Sequence, residues 1–181
     1  MSVNSGDAQA TTLKSAAPMR LYSLATEFLT MYQRILVAVD GSHSSDLALS
    51  QAITVAKAMG AEVQVVFVAD DSDLFFEVAH TNNEALMKNI ASFGSDVLNA
   101  ASKRLTEAGI RCSSRLFEKP ISPGKISATI VAEADTWSAD LIVLGTHGRR
   151  GIKRIVMGSV SEGVVSKTFR PILLIHCEAK D

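Results

Sequence analysis

The run Gly145-Thr-His-Gly-Arg-Arg-Gly-Ile-Lys-Arg-Ile-Val-Met-Gly-Ser159 lies between the apolar residues Leu141-Ile142-Val143-Leu144 and a helical pattern that begins near Val160. Short continuous apolar runs mark strands buried on both faces. A buried strand therefore leads into a glycine-rich basic loop, and the loop leads into a helix start. Glycines let backbone approach a ligand closely, and the unpaired N–H groups of a helix start carry partial positive charge. The stretch reads as an anion-binding construction, and phosphate fits it.

The rest of the chain repeats the strand-then-helix rhythm. Ile35 to Val39 is a second apolar run, ended by Asp40-Gly41-Ser42. A helix follows with Leu49, Ala52, Ile53 and Ala56 on one face and Gly60 as its stop. Glu62 to Ala69 reads as a strand, and a polar loop from Asp70 to Asn83 carries Phe75 and Phe76. Leu86, Ile90, Phe93, Val97, Ala101 and Leu105 recur near the helical period and predict a long helix ended by Gly109. Ile110 to Phe117 reads as the third strand. Ser122-Pro123 then supplies an N-cap and a first helical position for a helix with the stripe Ile126, Ile130, Ala134 and Trp137. The last helix is expected from Ser159 to Lys167 or so, and the fifth strand from Pro171 to Cys177.

This alternation predicts an α/β fold, an open five-stranded parallel sheet with helices on both faces. Ligands of such sheets sit beyond the carboxyl ends of the strands, where strand order reverses. Asp40 and Gly145 are both strand-end residues. Residues 1–33 differ, being rich in Ser, Thr and Ala, with a short apolar stripe at Leu21, Leu24, Phe28 and Met31. They are expected to form a largely flexible extension with one short helix, ahead of a single domain over 34–181.

The chain has 181 residues, enough for one domain with a sizeable core. Hydrophobic residues are 47% and charged residues 20%, a globular balance. A net charge of −1 argues against a general nucleic-acid or membrane-surface binder, so any basic patch is local. Cys112 and Cys177 show neither a close pair nor metal-ligand spacing, which suits a reducing compartment. With neither a spanning apolar run nor a secretory leader pattern, a cytoplasmic location is expected.

Gly145-x2-Gly148, followed after nine residues by Gly158-Ser159, resembles the nucleotide-binding signature of ATP-binding universal stress proteins. The resemblance extends to Arg34-Ile-Leu-Val-Ala-Val-Asp-Gly-Ser42 and to Arg170-Pro-Ile-Leu-Leu-Ile175. It implies a Rossmann-like sheet of strand order 3-2-1-4-5, in which strands 1 and 4 are neighbours. It implies ATP, with Mg²⁺, as a regulatory ligand, and a homodimer through the fifth strand at Ile172, Leu174 and His176. It puts Asp40 on the adenosine and Ala38, Val39, Val68 and Leu144 along base and sugar. It adds Gly145, Thr146, Gly148, Gly158, Ser159, Val160 and Ser161 as binding positions, with Arg149 to neutralise phosphate charge.

Plainer readings stand beside these. Ser159-Val-Ser-Glu162 matches a capping box, which can coexist with anion binding. Arg150, Lys153 and Arg154 read as a solvated loop face, and His147 as a solvent-facing loop histidine rather than a catalytic base. Asp40 can simply end a strand and cap a turn. Phe75 and Phe76 are expected to pack their loop, and Trp137 the core. Two other functions compete: a slow ATP hydrolase or phosphotransferase, and a dimeric interaction module indifferent to nucleotide. Against the first, no Gly-Lys is followed by Ser or Thr, and beyond Asp40 and the loop acids Asp70 and Asp71 no carboxylate cluster suggests itself.

Overall fold

A computed structural model describes residues 31–69, 83–119, 125–148 and 157–176. Its elements in chain order are β1 (Arg34–Ala38), α1 (His43–Met59), β2 (Glu62–Val68), α2 (Asn83–Glu107) and β3 (Cys112–Phe117). Then follow α3 (Ile126–Thr136), β4 (Leu141–Gly145), α4 (Ser159–Val165) and β5 (Ile172–Ile175). The five strands form one sheet in the order β3-β2-β1-β4-β5. Every neighbouring pair is parallel.

Alternation along each strand sorts its side chains into two layers. Ile35 and Val37 of β1, Val63, Val65 and Phe67 of β2, and Leu141 and Val143 of β4 join one cluster with α1 and α2. Leu36, Val66, Ile142 and Leu144 point the other way and meet Ile130 and Ala134 of α3 and Val164 of α4. Both faces of the central strands are thus buried, which is why they read as unbroken apolar runs rather than alternating ones. On α1 the buried residues Ala48, Ala52 and Ala56 bring that helix close to the sheet with little side chain between.

The ends of these elements follow local chemistry. Gly60 closes α1 with φ of 67°, in the left-handed region, and its N–H donates to the Ala56 carbonyl. At the opposite edge of the sheet from the loops, the Asp140 carboxylate accepts the Gln33 N–H at 2.7 Å and the Arg34 N–H at 3.1 Å. That carboxylate fixes the start of β1 beside the start of β4.

Several expectations shift. Lys125, not Ser122, is the N-cap residue of α3, and it makes no side-chain cap bond; Ser122-Pro123 itself lies outside the described residues. Trp137 is the C-cap residue of α3 and packs, half-buried, against the core rather than within it. Phe93 is 41% exposed, because its ring meets Phe67 edge-on from the rim of α2. β5 is shorter than Pro171 to Cys177, and Cys177, Phe75, Phe76, Asp70 and Asp71 fall outside the described residues, as do residues 1–30. Met31, the last member of the expected N-terminal stripe, is exposed. Among the described residues no helix is long and apolar enough to cross a membrane.

Leu105 of α2 is fully buried against the sheet. Leu105→Ala is expected to lower unfolding free energy by about 2–5 kcal/mol with an unchanged m-value in urea. A loss under about 1 kcal/mol would mean that this layer repacks around the cavity.

Candidate functional site

The carboxyl ends of β1 and β4, neighbours at the point where strand order reverses, carry the candidate site. From β1 the chain passes through Val39 into Asp40-Gly41-Ser42. The Ser42 N–H donates to Asp40 Oδ1 at 3.0 Å, an Asx-type turn, and Ser42 Oγ accepts the Ser45 N–H at 3.2 Å as the N-cap of α1. Gly41 has φ of 79°, and a Cβ there would lie 2.7 Å from Phe93 Cζ. Glycine is demanded twice at that position, by backbone conformation and by the helix packed over it. The bland reading of Asp40 is therefore realised, since its carboxylate does cap a turn.

Asp40 also faces the glycine loop. A Cβ on Gly148 would lie 2.8 Å from Asp40 Oδ2. The strand-end acid and Gly148 stand on one crevice, and a side chain at Gly148 would require the Asp40 carboxylate to shift.

The loop after β4 is tied at both ends. The Gly158 N–H donates to the Thr146 carbonyl at 2.8 Å, and Ser161 Oγ donates to the Gly145 carbonyl at 2.9 Å. A Cβ on Gly158 would lie 3.1 Å from the Thr146 carbonyl oxygen, so this closure also favours glycine. α4 therefore begins directly beside the strand end, with the first-turn N–H groups of Ser159, Val160 and Ser161 lacking intrahelical acceptors. The expected capping box does not form. The helix starts one residue earlier than the box requires, with Gly158 as its N-cap and no side-chain cap bond, which makes Ser159 the first helical residue. Ser161 is 3% exposed and spends its hydroxyl on the strand-end carbonyl. Ser159 itself is the exposed first residue of the helix.

The apolar lining separates by layer. Ala38, Val68, Leu144 and Val160 belong to the cluster on the α3 and α4 face, at the ends of their elements. Val39 does not join them. Its side chain is buried in the α1 and α2 layer, one residue out of phase with Ala38, and its N–H already donates to the Val66 carbonyl at 2.9 Å. Arg149, Arg150, Lys153 and Arg154 lie outside the described residues.

Two features escaped the sequence reading. Ser44 at the start of α1 stands so close to Gly145 that a Cβ on the glycine would meet its Oγ at 2.2 Å and its backbone carbonyl carbon at 2.9 Å. Nothing in the Ser-rich turn signals that contact. His147, expected to face solvent, is half-buried; its Nε2 is buried without a hydrogen-bond partner, and its Nδ1 lies 3.0 Å from Thr146 Oγ1. Among the described residues no three His, Cys, Asp or Glu side chains gather as a metal site. The arrangement offers backbone donors, one carboxylate and an apolar wall, which suits binding a polar ligand more than turning one over.

A family model described as the universal stress protein family matches residues 31–176. A universal stress protein of Methanocaldococcus jannaschii, MJ0531, is 32% identical over 151 residues, covering 83% of this chain and 86% of that protein. Among solved structures, the protein MJ0577 superposes with a TM-score of 0.72 at 24% identity, covering 83% of this chain and 99% of that one. A universal stress protein solved in complex with cAMP gives a TM-score of 0.58 at 24% identity, covering 81% and 98%.

Ser161→Ala removes the bond to the Gly145 carbonyl and leaves a buried acceptor. It is expected to cost about 1–3 kcal/mol in chemical denaturation and to speed amide exchange at Gly158. Unchanged exchange at Gly158 would show that the loop closure does not depend on Ser161.

Proposed function

The chain belongs to the universal stress protein family, and from that premise we propose that it binds ATP, with Mg²⁺, as a regulatory ligand of a stress response. The single observation that carries this reading is the approach of Asp40 Oδ2 to Gly148, at 2.8 Å from where a Cβ would stand. It sets a carboxylate for ribose hydroxyls against the glycine turn of a phosphate loop. The tied start of α4 then offers Ser159, Val160 and Ser161 N–H groups to the phosphates, in the manner of anion sites at helix starts. Ala38, Val68 and Leu144 supply apolar surface for the base. Arg149 is assigned to phosphate charge by its place next to Gly148 in the sequence.

The cAMP held by one fold neighbour is a fact about that protein. It makes adenosine monophosphates, cyclic and linear, the ligands to set against ATP. Hydrolysis is a weaker reading for this chain, because phosphate binding without a positioned base gives affinity and not rate.

The proposal includes a homodimer through β5. The Ile142 N–H donates to the Pro171 carbonyl and the Thr146 N–H to the Ile175 carbonyl, so those residues turn their backbone toward β4. By alternation the backbone groups of Ile172 and Leu174 face away from β4. An edge strand with outward donors and acceptors is suited to pairing with a second copy. A dimer is expected in sedimentation equilibrium, and a monomer at working concentrations would overturn this part.

Calorimetry on protein stripped of bound small molecules tests the ligand. Saturable one-to-one ATP binding per chain is expected, stronger than binding of cAMP or AMP. Gly148→Val should abolish it, since a branched side chain would displace Asp40 and intrude on the phosphate turn. Absence of ATP binding to folded protein, with and without Mg²⁺, would sink the reading.

A further inference from the structure

Thr146, His147 and His176 form a cluster of nitrogen and oxygen donors at the ends of β4 and β5, and neither histidine has a part in the proposed nucleotide site. Thr146 Oγ1 lies 3.0 Å from His147 Nδ1 and 3.2 Å from His176 Nδ1. Two imidazoles from the ends of different strands thus aim the same ring nitrogen at one hydroxyl. Their ring centroids are 5.6 Å apart and the planes are tilted by 55°. The Thr146 N–H donates to the Ile175 carbonyl at 2.9 Å, so the strand pairing itself holds the two histidines together.

The spacing is the telling quantity. Imidazole nitrogen binds zinc at roughly 2.0–2.1 Å, which places the ring centre roughly 3.2 Å from the metal. Two imidazoles on one tetrahedral ion therefore have centres about 5.2 Å apart. The observed 5.6 Å is close to that spacing, and the contacts of both Nδ1 atoms with Thr146 Oγ1 bring them to the same side. An ion reached by both Nδ1 atoms would sit between them on the side of Thr146 Oγ1, which makes that hydroxyl its nearest oxygen donor and leaves a further position for water.

We propose that His147, His176 and Thr146 form a site for a borderline divalent transition-metal ion, of which zinc is the representative. Imidazole donors favour zinc, cobalt, nickel or copper over magnesium and calcium, which take oxygen ligands. The site is distinct from any magnesium that accompanies a nucleotide. Its donor set is neutral and lacks a third charged or imidazole ligand, in keeping with the absence of a larger His, Cys, Asp or Glu group among the described residues. Binding is accordingly reversible and sensitive to each histidine.

The test uses full-length protein, treated with chelator and freed of nucleotide, with zinc alone as the probe, so that it stands apart from the ATP experiment. Calorimetry should give one saturable zinc site per chain. His147→Asn and His176→Asn should each weaken it by at least about tenfold, with Thr146→Val weakening it less. Cobalt in place of zinc should give visible absorption of nitrogen and oxygen coordination without a thiolate charge-transfer band. Unfolding curves without metal identify any variant that fails to fold; for such a variant, perturbation of the histidine ring resonances of the wild type by cobalt is the deciding measurement. No saturable binding to folded wild type would overturn the proposal. So would binding that survives loss of both histidines, or that vanishes when Cys112 and Cys177 are replaced by Ser.

Discussion

One hydrogen bond, from the Gly158 N–H to the Thr146 carbonyl, sets the geometry at the carboxyl ends of the central strands. It joins the last residues of a central strand to the cap of a helix across the intervening loop. Ser161 doubles the tie from within the helix by donating to the Gly145 carbonyl. With the two ends fastened, the start of α4 keeps its place beside the end of β4. A helix start held this way does not need a side-chain cap of its own, and Gly158 gives none. The first-turn N–H groups of Ser159, Val160 and Ser161 are left without a capping side chain.

The strand end is constrained from the other side as well. Gly145 abuts Ser44 at the start of α1, and Gly148 abuts Asp40 after β1. The two helices nearest the crevice therefore begin at the same level, one packed into the layer with Val37 and Val143, the other into the layer with Leu36 and Ile142. That split is a consequence of strand order. β1 is followed by a strand on one side and β4 by a strand on the other, so the crossovers diverge and leave an opening between them. Glycine is required where the diverging chains still touch.

The fold was legible because the central strands are buried on both faces, and unbroken runs such as Ile35 to Val37 or Leu141 to Leu144 admit few other readings in this context. The need for glycine at 145 and 158 has a related reason, since each stands against backbone of a neighbouring stretch of chain. Side-chain roles were less legible. Ser159-Val-Ser-Glu162 satisfies the pattern of a capping box, yet the pattern cannot register that the loop closure makes Gly158 the N-cap and puts Ser159 inside the first turn. For Val39, alternation from Ala38 puts the side chain in the opposite layer, which leaves its backbone as the group at the strand end. The Ser44 contact and the meeting of His147 with His176 join distant stretches of chain, and no local spacing encodes them.

The division between backbone and side chain has a further consequence for how such a site can change. Backbone donors at the start of α4 come with the strand-loop-helix path and survive most substitutions, provided Gly145, Gly148 and Gly158 keep their approaches open. Asp40 is different, because its carboxylate both holds the Ser42 N–H and faces Gly148. Truncating it disturbs the cap of α1 and the crevice together, so a loss of ligand affinity on removing the side chain does not isolate a ligand contact. Asp40→Asn separates the two contributions, because its side-chain oxygen can still accept the Ser42 N–H while the charge facing Gly148 is gone. If affinity falls in Asp40→Asn with the stability of the fold unchanged, the loss belongs to the carboxylate's place on the crevice rather than to the turn it caps.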